Sequence, residues 1–141
     1  MFFPHSEYDY TVSMSRIILF NKPYGVVSQF TPDGDHPTLA GFGLPKGLYP
    51  AGRLDHDSEG LVVLTDDGAL QHRISHPTEK WAKTYWVQVE GRPVPAELAR
   101  FRAGILIEGI LTKPSDIREI SEPRNLWSRT PPIRVRKRIP T

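Results

Sequence analysis

Short apolar runs, punctuated by Pro, Gly, Asn and Asp, organise this chain. Arg16-Ile17-Ile18-Leu19-Phe20 is ended by Asn21-Lys22-Pro23-Tyr24-Gly25, which predicts a strand closed by a turn. Val26-Val27-Ser28-Gln29-Phe30 predicts its partner strand. The Pro, Asp and Gly content of Thr31-Pro32-Asp33-Gly34-Asp35-His36-Pro37 predicts a loop, after which Thr38 caps a helical turn through Leu39, Ala40 and Phe42. Leu61-Val62-Val63-Leu64 is too short and too β-branched for a helix and predicts a buried strand. Thr65-Asp66-Asp67-Gly68 then offers caps to a helix through Ala69, Leu70, Arg73 and Ile74, with its acids at the end that the helix dipole favours. His76-Pro77 stops that helix.

Further along, Lys83-Thr84-Tyr85-Trp86-Val87-Gln88-Val89-Glu90 alternates and is rich in aromatic and β-branched residues, so it predicts a strand. Pro95 to Gly104 predicts a helix with Pro at its start and Gly at its end. Ile105–Glu108 and Ile110–Thr112 predict a hairpin around Glu108-Gly109, and Ser115–Ile120 one more strand. Beyond Ser121 the Pro, Arg and Asn content predicts extended loop, and residues 1–15 a flexible N-terminal arm. Strands outnumber helices in an α+β order, with residues 16–141 forming one domain.

Composition narrows the class. A chain of 141 residues with 38% hydrophobic and 24% charged residues is large enough for a real core. It contains no apolar run near the roughly 20 residues of a membrane helix and no secretory signal pattern at its start. Zero Cys removes disulfides, thiolate catalysis and cysteine-ligated zinc. These features predict a cytoplasmic protein.

The net charge of +2 is unevenly placed. Residues 1–91 carry 7 basic and 11 acidic side chains, whereas residues 92–141 carry 11 and 5. The excess peaks in Arg129-Thr130-Pro131-Pro132-Ile133-Arg134-Val135-Arg136-Lys137-Arg138, which suggests a polyanion partner.

Candidate chemistry concentrates in Ala51-Gly52-Arg53-Leu54-Asp55-His56-Asp57-Ser58-Glu59-Gly60, directly ahead of the buried strand. Charge beside a core must be paired or hydrated, so such a segment serves chemistry or a turn. Asp55, Asp57 and Glu59 alternate and would share one face if extended, a carboxylate set of the kind that holds Mg²⁺ or Ca²⁺. The calcium-loop pattern fails, because Val62 and Val63 stand where ligands belong and the twelfth position is Asp66. His72 and His76 are spaced like a metal pair, but no H-E-x-x-H frame surrounds them, and no metal site is assigned. No phosphate-cradling Gly loop and no Ser elbow are present. What remains is Asp55 among basic and aromatic neighbours.

Four blocks in order carry a resemblance: Ile18-Leu19-Phe20-Asn21-Lys22-Pro23-Tyr24-Gly25-Val26, Ala51 to Thr65, Thr65 to Gly68 with its helix, and Lys83-Thr84-Tyr85-Trp86-Val87. Together they resemble the RsuA-type bacterial rRNA pseudouridine synthases, and among these the E-type synthases of large-subunit rRNA, whose pattern is echoed in Pro131 to Lys137. The resemblance implies the pseudouridine synthase catalytic-core fold, a mixed, largely antiparallel sheet with flanking helices. It implies that Asp55 is the nucleophile, attacking the target uridine at C1′ or at the uracil ring, after which the base rejoins through C5. Tyr85 matches the active-site tyrosine that stacks on the uracil. Arg53 matches an RNA-contacting arginine, and Lys22 and Lys83 match further basic positions of the site. Arg134, Arg136 and Lys137 extend the RNA-binding set. No cofactor is required, since a carboxylate supplies nucleophilic catalysis itself. The implied partner is rRNA, bound by a monomer.

The physical logic is consistent, because a stacked uridine must be flipped out before a carboxylate reaches it, at a cost of a few kcal/mol. An aromatic platform and basic flank supply the compensation. Two departures stand out. No S4 RNA-binding domain precedes residue 16, as in the E type, and the family's G-R-N-R-Q-V-R-R-M segment, with the cation that pairs with the nucleophile, does not follow Thr141. The resemblance thus covers about the first two thirds of a catalytic domain, and the sequence reads as a fragment of a longer protein. The rival reading is a truncated, non-catalytic RNA-binding module of the same fold.

Overall fold

A computed structural model describes residues 14–79 and 81–132. The expected arm up to residue 13, and Arg134, Arg136 and Lys137, lie outside the described residues. The chain divides into two units, Met1–Lys83 and Thr84–Thr141.

In the first unit, strand β1 (Ile17–Lys22), strand β2 (Tyr49–Pro50) and strand β3 (Gly60–Thr65) form an antiparallel sheet in the order β1-β3-β2. Alternation decides which side chains face inward. Ile18 lies opposite Leu64, Phe20 opposite Val62 and Lys22 opposite Gly60. That face packs on Val26, Leu39 and Leu48, with Phe30, Leu44 and Leu54 at the margin of the same cluster. Leu39 and Leu64 are fully buried, and each such side chain contributes about 1.5–3 kcal/mol. The opposite face leaves Ile17, Leu19 and Leu61 exposed.

Helix α1 (Gly68–Ser75) begins where expected, because Asp67 accepts from the backbone N–H groups of Ala69 and Leu70. Asp66 fastens the same corner, its carboxylate accepting from the Arg16 backbone N–H at 2.8 Å and from the Arg16 guanidinium at 2.6 Å. The predicted turn after Thr38 is a single 3-10 turn, Leu39–Phe42, but the Thr38 side chain makes no capping bond. Phe42 instead packs edge-on against Phe20, ring centroids 5.2 Å apart.

Val26–Phe30 is not the strand its composition predicts. It touches Thr38 through one isolated parallel bridge at Val27, and Val26, Val27 and Ser28 are buried as a core-lining loop. Its apolar residues report burial, and the strand that pairs with β1 is β3 instead.

The second unit holds helix α2 (Pro95–Ala103) and a hairpin of strands β4 (Leu106–Ile107) and β5 (Ile110–Leu111). The Glu97 carboxylate reaches back to the Val94 N–H at 2.9 Å, closing the first turn of α2. Glu108 and Gly109 both take positive φ, 49° and 83°, the conformation a two-residue hairpin turn requires. Ser115–Ile120 is not a strand: its Ser115 N–H bonds the Arg102 carbonyl and its Ile117 carbonyl accepts from the Arg102 guanidinium, so the segment is tied to the end of α2. Lys83–Glu90 is exposed throughout and pairs with no strand among the described residues. Alternation expresses a fit to a half-buried pleated surface, which a segment adopts only where such a surface is offered.

Candidate active site

Because Lys22 lies opposite Gly60, the turn leaving β1 and the connection entering β3 emerge at one end of the sheet. That connection, residues 51–59, holds the Arg53-Leu54-Asp55 sequence. Its backbone is tied down residue by residue. The Ser28 hydroxyl donates to the Leu54 carbonyl at 2.7 Å and accepts from the Leu54 N–H at 3.1 Å. The Gly25 N–H donates to the His56 carbonyl at 2.7 Å, from a turn whose φ of +77° glycine adopts without strain. The Ser58 N–H returns to the Asp55 carbonyl at 3.1 Å, and the Lys22 ammonium donates to the Ser58 carbonyl at 2.6 Å. Leu54 also packs against the core.

These anchors bracket Asp55 on both sides. Its side chain is exposed, as are those of Arg53, His56 and Asp57. A carboxylate held on a pinned backbone yet open to solvent is placed to meet an incoming electrophile with little reorganisation.

Lys22, expected among the basic RNA-binding residues near the site, is fully buried, and its ammonium donates to the carbonyls of Pro23 at 3.1 Å, Val26 at 2.7 Å and Ser58 at 2.6 Å. Burial pushes its pKa below the ordinary lysine value, and the attraction of Asp57, Glu59 and Asp55 opposes that shift. Lys22 is therefore a buried clip within electrostatic reach of the acidic loop.

Ser28 was not singled out by the sequence, and its only signal there is a hydroxyl inside an apolar run. It is 1% exposed and is a principal support of Arg53-Leu54-Asp55.

The remaining expected residues are shared between the two units. Arg53 and Asp55 share the pinned loop of the first unit, and Lys83 is exposed at that unit's C-terminal boundary. Tyr85 belongs to the second unit and is 61% exposed. His72 and His76 stack their rings, centroids 4.5 Å apart, and the His76 Nδ1 lies 2.8 Å from the Thr78 hydroxyl. No group of three His, Asp or Glu arranged to hold a metal occurs among the described residues, and no helix among them is long and apolar enough to cross a membrane.

Comparison with known proteins connects this geometry to a family. The model of the family described as RNA pseudouridylate synthase matches residues 16–134. A ribosomal large subunit pseudouridine synthase E of Xanthomonas axonopodis pv. citri is 54% identical over 126 residues, covering 88% of this chain and 66% of its own length. The protein of that name from Vibrio vulnificus is 48% identical over 136 residues, covering 96% of this chain and 58% of its own. A ribosomal small subunit pseudouridine synthase A of Salmonella typhimurium is 40% identical over 111 residues, covering 75% of this chain and 48% of its own. A solved structure titled as a pseudouridylate synthase superposes with a TM-score of 0.69 at 35% identity, over 77% of this chain and 48% of that one. The chain spans about half to two thirds of the length of the relatives it matches. With the matched region running from β1 through both helices, the chain belongs to the RNA pseudouridylate synthase family.

Proposed function

We propose that this chain carries the nucleophile of an enzyme that isomerises a uridine of large-subunit rRNA to pseudouridine. The observation that carries this reading is the bracketing of exposed Asp55 by the Ser28–Leu54, Gly25–His56 and Lys22–Ser58 bonds. Two relatives bearing the large-subunit name, at 54% and 48% identity, support the choice of RNA.

In this mechanism the Asp55 carboxylate adds to C1′ or to the uracil ring of a flipped uridine. The net change is the same by either route: the N1–C1′ bond breaks, a C5–C1′ bond forms, one proton leaves C5 and N1 gains one, and the carboxylate is regenerated. Nothing is oxidised or reduced, and no metal or cofactor is needed, since the carboxylate is the nucleophile. Tyr85 stacks on the uracil and assists the removal of the C5 proton. Arg53 meets the RNA beside the vacated stack, while Lys83, Arg134, Arg136 and Lys137 meet phosphates. Lys22 is assigned to positioning. Residues 16–141 form part of one catalytic domain, which acts as a monomer in the bacterial cytoplasm.

The test is an rRNA transcript in which 5-fluorouridine replaces uridine, incubated with the wild-type chain and with Asp55→Ala. A covalent adduct with the wild type alone is expected. An adduct that persists in Asp55→Ala overturns the assignment of the nucleophile. Salt-sensitive binding with neither adduct nor isomerised uridine identifies an RNA-binding module instead.

A further inference from the structure

Three aromatic side chains from three separate loops converge beside the Asp55 loop. The His36 and His56 rings have centroids 5.1 Å apart at an interplanar angle of 55°, and the Tyr24 and His56 rings lie 6.3 Å apart at 38°. His36 and His56 are exposed and Tyr24 is half-buried. His56 adjoins Asp55 in sequence, so the group sits next to the residue proposed as nucleophile. From these rings we infer a nucleobase-stacking subsite, formed by Tyr24, His36 and His56, that holds a base neighbouring the target uridine. This inference rests on the functional reading above and deepens it.

The rings are held in place by the backbone. The Gly25 N–H, one residue from Tyr24, binds the His56 carbonyl at 2.7 Å. The Val27 N–H binds the carbonyl of Pro37, next to His36, at 2.9 Å, and the His36 N–H closes a turn onto Asp33 at 3.1 Å. A surface whose supporting loops are already fixed loses little freedom when a base settles on it.

Charge decides which part of RNA this surface meets. The two loops that contribute the histidines carry five carboxylates, Asp33, Asp35, Asp55, Asp57 and Glu59, against the single cation Arg53. Such a surrounding repels phosphates, whereas a base presents a neutral π-face that any aromatic ring accepts. Flipping a uridine also unstacks its neighbours, and an aromatic platform beside the nucleophile replaces the lost stacking.

The test uses filter retention of an unmodified large-subunit rRNA transcript across a range of salt concentrations. The wild type is compared with the pair His36→Ala/His56→Ala and with the pair His36→Phe/His56→Phe. Stacking predicts that the Ala pair binds about 10-fold more weakly or worse at every salt concentration, with an unchanged salt slope. It predicts that the Phe pair, which keeps aromatic faces but loses the imidazole nitrogens, binds within about 2-fold of the wild type. Thermal melting of each variant reports folding, and the single variants His36→Ala and His56→Ala, each expected to bind more weakly at an unchanged salt slope, keep the test decisive should the Ala pair unfold. Equal binding by the Ala pair and the wild type overturns the subsite while leaving the functional reading intact. A shallower salt slope in the Ala pair, or a loss in the Phe pair as large as in the Ala pair, also overturns it, because the histidines then act through charge or hydrogen bonds. A wild-type chain that neither retains the transcript nor forms the fluorouridine adduct overturns both readings.

Discussion

The Lys22 ammonium donates to the Ser58 carbonyl at 2.6 Å, joining the end of β1 to the loop that carries Asp55. Its other two bonds close the Pro23–Val26 turn, so one side chain fixes both the turn leaving β1 and the Asp55 loop. Lys22→Met keeps length and apolar volume but leaves the buried Val26 carbonyl bond and the part-buried Pro23 and Ser58 carbonyl bonds without their donor. We expect a loss of about 1–3 kcal/mol, seen as a lower urea midpoint at unchanged m-value. Because Asp55 loses its downstream anchor, kcat for uridine isomerisation falls more than KM rises. Equal stability of Lys22→Met and wild type would show that relief of lysine desolvation offsets the lost bonds in full.

Ser28→Ala tests the upstream anchor. The hydroxyl serves both the N–H and the carbonyl of Leu54, so its removal leaves both backbone groups unsatisfied at the edge of the core. The expected cost is about 1–3 kcal/mol. Fluorouridine adduct formation should slow at saturating RNA even under conditions where the variant is fully folded. A variant that unfolds more easily yet forms adduct at the wild-type rate would confine Ser28 to a structural role.

The contrast between Lys22 and Asp67 shows what the sequence made legible. Asp67 belongs to the Thr65–Gly68 run that local rules offer as the cap of α1, and the structure seats the cap on it. Strands β1 and β3 taken singly, α2 and the Glu108-Gly109 hairpin were legible for the same reason, since each is written in a contiguous stretch. The pairing of β1 with β3 was not, because Val26–Phe30 is the partner the local pattern offers. Lys22 was open to a similar inference: with Ile18 and Phe20 facing the core, period-two alternation carries Lys22 inward as well. Its charge and its place in a family motif suggested a surface contact instead. The role of Ser28 depends on Leu54, 26 residues away, and no local pattern reports such a pairing. Lys83–Glu90 and Ser115–Ile120 have strand composition, but strand formation depends on partners that composition does not name.

At the far end of the sheet, Asp66 and Asp67 couple stability to acid. The Arg16 guanidinium and N–H bonds hold the Asp66 carboxyl below its ordinary value of 3.8. The Leu70 N–H, the Ser15 hydroxyl and the Ala69 N–H do the same for Asp67. Both folded pKa values are depressed, so their contribution is present above 3.8 and is lost as pH falls through the lower folded values. Urea midpoints measured from pH 7 down to pH 2 should decline below about pH 4. Asp66→Asn should make that decline shallower, and an unchanged profile in this variant would remove Asp66 from the linkage.

Salt dependence separates Arg53 from Lys22. Each phosphate neutralised by a cation releases counterions, and the slope of log K against log salt changes by about 0.7–0.9 per contact. Arg53 is exposed on the pinned loop, two residues before Asp55, while Lys22 is fully buried with its N–H groups bound to carbonyls. Arg53→Ala should therefore bind the large-subunit rRNA transcript with a slope shallower by about that amount. Lys22→Met, measured where it is folded, should retain the wild-type slope. A slope that flattens in Lys22→Met would mean that the buried ammonium reaches RNA after all, and would return Lys22 from positioning to binding.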